Sequence, residues 1–230
     1  MDLVQYKYNK IYAKKVWTDM KEVFKKGQTV LFQGDSITDC GRDRKDITSL
    51  SEGYPGIAAK MYNLLFPGNE VKFINRGISG NRAIDLLDRY DEDFKAIHPD
   101  FISILIGIND TWRRYDSNDP TSAEKFERNY RKLLEKIKSD MPHCKIMIIE
   151  PFLLYSQPGL ERWREDLDPK IQVVRKLAKG YADYYLPLDG IFVKEEVTRY
   201  HCKEMTEDGV HPTPLGHAII AEEYLKVLNQ

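Results

Sequence analysis

The chain has 230 residues, 42% hydrophobic and 31% charged, and this globular composition predicts one large folded domain. Its 35 basic and 36 acidic side chains almost cancel, which excludes a general electrostatic attraction to nucleic acid or to an anionic membrane. No apolar stretch reaches the ~20 residues that span a bilayer, and Met1–Lys26 lacks the apolar core of a signal peptide. We therefore expect a cytoplasmic protein.

Short apolar runs alternate with helical patterns along the chain. Strands are predicted at Thr29–Gln33, Val71–Ile74, Phe101–Ile106, Lys145–Ile149 and Tyr184–Leu188. Helices are predicted at Tyr54–Phe66, Ala83–Ile97, Ser122–Ser139, Pro169–Gly180 and Pro214–Leu228. The alternation predicts an α/β fold in which a parallel sheet carries helices on both faces.

Residues 1–27 form an N-terminal extension that is predicted to be helical around Ile11–Phe24. Trp17, Met20 and Phe24 recur there at helical spacing, which predicts a face packed on the domain or on a neighbouring subunit. No repeat or flexible linker divides the sequence, so residues 1–230 are expected to form a single domain.

Candidate functional groups follow the predicted strands, because ligands of such sheets bind beyond the carboxyl ends of the strands. The first strand is followed by Gly34-Asp35-Ser36, which places a serine hydroxyl at a strand-to-helix turn beside N–H groups of the helix start. A serine in this position could equally serve only as a helix cap.

Two further motifs are weaker when each is taken alone. The segment Asn75–Asn81 contains Gly77 and Gly80, which allow the backbone to approach a ligand closely with its N–H groups. Asn109 follows the third strand and could supply an amide donor to an oxyanion, or could simply begin a turn or cap a helix.

His211 follows Asp208 by three positions near the C-terminus. In a turn, the Asp208 carboxylate can reach the Nδ1 atom of the imidazole and stabilise its protonated form. The pair could instead be an exposed loop pair or part of a metal site, although a third metal ligand at suitable spacing is lacking. Cys40, Cys144 and Cys202 form no C-x-x-C pair, so neither a metal nor a cofactor is expected.

Together, these motifs resemble the SGNH hydrolases, also called GDSL esterases and lipases. The resemblance rests on Gly34–Ser36, Asn75–Gly80, Gly107–Asp110 and Asp208–Pro212, and covers most of the chain beyond the extension. It implies a three-layer α/β/α sandwich of the flavodoxin-like SGNH type with a central, mainly five-stranded parallel sheet. Ile108 departs from the small residue that is common in the family at this position.

The same resemblance implies a role for each matching residue. Ser36 would be the nucleophile, His211 the general base and then acid, and Asp208 the residue that orients His211. The oxyanion hole would comprise the backbone N–H groups of Ser36 and Gly80 and the side-chain amide of Asn109.

Asp35 and Trp112 are predicted to contact substrate. An aromatic face suits a hydroxyl-rich sugar, although Trp112 could instead pack against a helix start. Trp163 and Tyr155 are weaker candidates of the same kind.

Longer stretches, such as Ile106–Arg113, look like small bacterial acetylesterases that act on xylan and xylo-oligosaccharides. This implies an acetylated carbohydrate as substrate and a homo-oligomeric enzyme, with neither nucleic acid nor a membrane as partner. The alternatives are a lipase, lysophospholipase or thioesterase of the same family, or a binding module without catalytic activity.

Overall fold

A computed structural model describes residues 20–230, and a five-stranded parallel sheet forms their centre. The strands are β1 (Thr29–Gly34), β2 (Lys72–Asn75), β3 (Phe101–Leu105), β4 (Lys145–Ile149) and β5 (Tyr184–Leu186). They lie in the order β2-β1-β3-β4-β5, which is the flavodoxin-like order. The predicted sheet is therefore confirmed, with strand ends shifted by one or two residues.

Helices cover both faces of the sheet. They are α1 (Ser36–Asp39), α2 (Tyr54–Leu65), α3 (Ala83–Asp88), α4 (Ile108–Asp116), α5 (Ala123–Asp140), α6 (Arg164–Tyr181), α7 (Leu188–Thr198), α8 (Cys202–Met205) and α9 (Pro214–Leu228). Within the described residues, no helix combines the length and apolarity needed to cross a membrane.

Two apolar layers result from the alternation of side chains along each strand. Val30 and Phe32 of β1 pack with α2, α7 and α9 on one face of the sheet. Leu31 points to the other face, where it packs with α3, α5 and the later part of α6. This confirms the predicted three-layer α/β/α architecture.

The prediction of a single helix over Ala83–Ile97 is wrong. The chain instead forms α3 and then a π-helical turn at Asp91–Lys95. Leu86, Tyr90 and Phe94 are all buried on the same side, so the apolar spacing continues through the break. Apolar spacing alone therefore could not reveal where α3 ends.

Prolines explain two further differences from the prediction. Helix α6 begins at Arg164 and holds Pro169 in its interior, where the proline removes one N–H donor near the helix start without ending the helix. The last strand ends at Leu186 rather than Leu188, because Pro187 has no N–H to donate and precedes the first residue of α7. Helices α4, α7 and the short α8 were not predicted.

The N-terminal extension is described only from Met20, so Trp17 and most of the predicted helix lie outside the described residues. Residues 20–24 are not helical, and the prediction is wrong there. The Phe24 N–H donates to the Tyr62 hydroxyl, and its carbonyl accepts from Asn69, so contacts with the domain replace helical hydrogen bonds. The Phe24 ring is 3% exposed and packs against Tyr62 and Phe101.

Phe24→Ala is expected to lower the free energy of unfolding by ~3–5 kcal/mol, because it removes a buried ring and leaves a cavity. Leu64→Ala is the control, since Leu64 is 81% exposed, and it should change the free energy by less than about 0.5 kcal/mol. Urea denaturation of both variants measures these changes. Equal midpoints and slopes for the two variants would show that the Phe24 ring does not stabilise the domain.

Candidate active site

Ser36 lies where β1 turns into α1. Gly34 is required at this turn, since a Cβ there would lie 2.4 Å from the Leu105 carbonyl oxygen. The cap of α1 is Asp35, whose Oδ1 accepts from the Ile37 N–H at 3.0 Å. The Ser36 hydroxyl is therefore not engaged in capping this helix.

Asp208 and His211 lie in a tight loop that precedes α9. The Gly209 carbonyl accepts from the Leu154 N–H at 2.9 Å, and the Gly209 N–H donates to the Thr206 hydroxyl at 2.7 Å. Asp208 Oδ1 accepts from the backbone N–H of His211 at 2.8 Å. These bonds fix the loop at the carboxyl end of the sheet.

A chain of two hydrogen bonds joins this loop to Ser36. His211 Nδ1 lies 2.7 Å from Asp208 Oδ2, and His211 Nε2 lies 2.9 Å from Ser36 Oγ. Because an ionised carboxylate can only accept, Nδ1 carries the ring hydrogen and Nε2 accepts from the Ser36 hydroxyl. The Ser36 hydroxyl can therefore pass its proton to the imidazole, whose orientation is held by Asp208.

The surroundings of His211 and Asp208 favour the charged forms of both groups. The hydrogen bond with Asp208 raises the pKa of His211 above its ordinary value of 6.5, against the opposing effect of burial. Burial alone would raise the pKa of Asp208, but the hydrogen bonds from the His211 ring and from the N–H groups of His211 and Val210 hold it at about 2. An imidazolium formed here is therefore stabilised.

The remaining predicted donors lie in the segments that follow the two strands flanking β1. Gly80 follows β2, and Asn109 follows β3 as the second residue of α4. Gly80 has a φ of +84°, which suits glycine. No group in residues 20–230 accepts from the backbone N–H of Ser36 or of Gly80.

Two carboxylates hold the donor-bearing segments together. Asp39 Oδ2 accepts from both the N–H and the hydroxyl of Ser79, at 3.0 and 2.9 Å, which ties α1 to the loop before Gly80. Asp110 Oδ2 accepts from the Ala83 N–H at 3.1 Å, which ties α4 to the start of α3. The positions of Gly80 and Asn109 are thus coupled.

The prediction that Asp35 contacts substrate is wrong for its side chain, because the carboxyl group is fully buried. Burial raises the pKa of Asp35 to about 7, and its Oδ2 has no partner among the described residues. Burial likewise raises the pKa of the neighbouring Asp110 to about 7. The Asp35 charge acts on His211 through space and also raises the pKa of that imidazole.

Trp112, by contrast, is partly exposed beside the proposed base. Its ring centroid lies 5.6 Å from that of His211 and 5.4 Å from that of Trp163. Trp163 is 8% exposed and stacks on Tyr115 at 4.9 Å, so it supports Trp112 from behind. We call Trp112, Trp163 and Tyr115 the aromatic wall. Tyr155 lies outside it and contacts Arg164.

His217 is a neighbour of the site that the sequence did not indicate. It accepts from the Tyr54 N–H through Nδ1 at 3.2 Å, and its Nε2 lies 3.3 Å from Cys40 Sγ. Burial lowers the pKa of His217 to about 4, so this ring stays neutral at pH 7. Within residues 20–230, no group of three His, Cys, Asp or Glu side chains could hold a metal ion.

Comparison with known proteins identifies the family. Residues 32–219 match the model of the GDSL-like lipase/acylhydrolase family. The chain belongs to this family, which confirms the resemblance in the motifs.

Similar proteins match nearly the whole chain. An acetylxylan esterase of Geobacillus stearothermophilus is 32% identical over 209 residues, which are 87% of this chain and 93% of that protein. The crystal structure of a putative GDSL-like lipase from Parabacteroides merdae matches with a TM-score of 0.85 at 30% identity, over 90% of this chain and 99% of that one. A variant of the Geobacillus acetyl-xylooligosaccharide esterase Axe2 matches with a TM-score of 0.82 at 29% identity, over 91% and 97%.

Asp208→Asn is expected to lower the pKa of His211, because the substitution removes the carboxylate that stabilises the imidazolium. NMR titration of the histidine ring protons measures this change. The ring of His217 serves as an internal control, since its pKa of about 4 is set mainly by burial and should stay low in the variant. An unchanged pKa for His211 would contradict the assigned hydrogen bond.

Proposed function

We propose that this protein is a serine esterase that hydrolyses short-chain acyl esters, above all O-acetyl groups on xylo-oligosaccharides or related carbohydrates. The observation that carries the proposal is the hydrogen-bonded chain Asp208–His211–Ser36, with its 2.7 and 2.9 Å separations. A hydroxyl bonded to an imidazole that a carboxylate orients is the arrangement that activates serine for acyl transfer.

In the first half of the reaction, Ser36 Oγ attacks the ester carbonyl while its proton passes to His211 Nε2. The resulting imidazolium is stabilised by Asp208, and it then protonates the oxygen of the leaving alcohol. An acyl group remains on Ser36. In the second half, His211 takes a proton from the water that attacks the acyl group, and it then returns this proton to Ser36 Oγ as the acid is released. Since His211 must be neutral to act as base, turnover rises with pH through its raised pKa.

The negative charge of each tetrahedral intermediate requires donors that are free to receive it. The unengaged N–H groups of Ser36 and Gly80 and the second N–H of the Asn109 amide fit this role. Removal of one such donor typically costs ~10²–10³ in kcat. We assign these groups as the oxyanion hole.

The choice of acetylated carbohydrate rests on the relatives and on the aromatic wall. The Geobacillus stearothermophilus relative is named as an acetylxylan esterase, and the matching structure of its Axe2 is named as an acetyl-xylooligosaccharide esterase. Trp112 offers an aromatic face beside His211, where the leaving sugar would lie during acyl transfer. Lipid and thioester substrates are the alternative within the family. Self-association and a cytoplasmic location stay predictions.

The first test is a p-nitrophenyl ester series together with acetylated xylo-oligosaccharides. The wild-type protein is expected to turn over the acetyl ester fastest and to release acetate from the oligosaccharides. Ser36→Ala should lose this turnover and its labelling by a serine-reactive phosphonate, because the nucleophile is absent. Ser139→Ala, at an exposed position on α5, should retain both.

Each contrary result has a distinct meaning. Rates that rise with acyl chain length would favour a lipase, and preference for thioesters would favour a thioesterase. No turnover of any activated ester would leave a binding module as the function. Persistent labelling of Ser36→Ala would exclude Ser36 as the nucleophile.

Trp112→Ala is expected to raise KM for acetylated xylo-oligosaccharides roughly tenfold, because it removes the face on which the sugar stacks. It should change kcat/KM for p-nitrophenyl acetate much less, since that ester has no sugar. Trp112→Phe is the matched control, as it keeps an aromatic face at the same position. Equal losses on both substrates would show that Trp112 only supports His211.

A further inference from the structure

Arg113 lies one helical turn after Asn109 on α4, so the two side chains share one face of the helix. Its Nη2 lies 3.5 Å from Asn109 Oδ1. The same nitrogen would lie 3.9 Å from a Cβ placed on Gly80. One guanidinium group thus contacts the two segments that carry the remaining predicted oxyanion donors.

The other end of this guanidinium is held by a carboxylate. Arg113 Nη1 donates to Asp116 Oδ2, and the two side chains are 31% and 34% exposed. The ion pair limits the rotation of the planar group and leaves Nη2 directed at Asn109. It also balances the arginine charge at the edge of the site.

The Asn109 amide could be placed in two ways, related by a half-turn that exchanges its oxygen and nitrogen. In the observed orientation, Nδ2 donates to the Asn81 carbonyl at 3.1 Å and Oδ1 faces Arg113. The reversed orientation would set oxygen against the Asn81 carbonyl and an N–H donor against a cation. Arg113 and Asn81 therefore both favour the observed orientation.

This orientation decides what the amide can offer. One N–H of Nδ2 is used by Asn81, and no acceptor in the described part of the chain takes the second. A cation at Oδ1 also draws electron density from the amide, which strengthens the N–H groups as donors. The reversed amide would offer an oxygen to a substrate oxyanion and repel it.

We propose that Arg113 is a positioning residue that fixes the Asn109 amide with its free N–H towards the carbonyl oxygen of the substrate. The inference rests on the proposed esterase function and deepens it. Arg113 acts through Asn109, so its effect depends on that amide being present. The adjacent Arg114 has no such role, because its guanidinium pairs with Glu165 and Asp166 of α6.

The test is a double-mutant cycle measured with p-nitrophenyl acetate. Arg113→Met is expected to lower kcat roughly tenfold with little change in KM, because a transition-state interaction weakens while ester binding does not. Asn109→Ala is expected to lose ~10²–10³ in kcat. The double variant should lose little more than Asn109→Ala alone, since Arg113 then has no amide to orient.

Arg114→Met is the matched control and should keep wild-type kcat. Arg113→Lys keeps the charge but not the planar fork, so it should recover part of the lost kcat. It also provides the measurement should Arg113→Met fail to fold, which thermal unfolding would reveal. As a readout independent of turnover, the NMR signals of the Asn109 side-chain amide should shift in Arg113→Met and stay unchanged in Arg114→Met.

Two results would overturn the inference. Wild-type kcat in Arg113→Met would show that the amide needs no such support. An equal loss from Arg113→Met with and without Asn109 would show that Arg113 acts directly on the substrate. Failure of the esterase proposal is distinguishable, because the wild-type protein itself would then lack turnover.

Discussion

The hydrogen bond between the Ser36 hydroxyl and the His211 imidazole joins residues 175 positions apart, and the proposed chemistry depends on it. The bond forms only if the loop before α9 is held in a fixed position relative to the end of β1. Parallel strands make this possible, because their carboxyl ends all lie at one edge of the sheet. The order β2-β1-β3 places Ser36 between the segments that carry Gly80 and Asn109.

Burial and hydrogen bonding together set the protonation of the carboxyl groups and histidines in and around the site. Asp208 is held ionised by three hydrogen bonds, whereas Asp35 and Asp110 have pKa values near 7 because burial outweighs their single backbone donors. When Asp35 is ionised, its charge adds to that of Asp208 in favouring the imidazolium form of His211. His217, only a short distance away, remains neutral because burial dominates there. His211, in the loop before α9, and His217, within α9, thus acquire opposite pKa shifts from their surroundings.

Helix α4 carries several of these functions on adjacent residues. Asn109 supplies an amide, Asp110 ties the helix to α3, Trp112 faces His211 and Arg113 contacts Asn109. Successive residues of a helix point in different directions about its axis, so one short segment can contribute to the proposed oxyanion hole, to the core and to the aromatic wall together. A small shift of α4 would therefore disturb the proposed binding and the proposed chemistry at once.

The sequence by itself determined the α/β class, the positions of the five strands and the family, since these depend on local apolar spacing and on short motifs at strand ends. It also indicated Ser36, Gly80, Asn109, Asp208 and His211 as candidate site residues. Only the tertiary structure decided that the Asp35 carboxyl group is fully buried, that α3 ends at Asp88 and that residues 20–24 are not helical. It alone placed Trp112 against His211 and Arg113 against Asn109. Local periodicity records which side of an element is apolar, whereas burial of a charge and the orientation of an amide depend on neighbours that the fold brings from elsewhere in the chain.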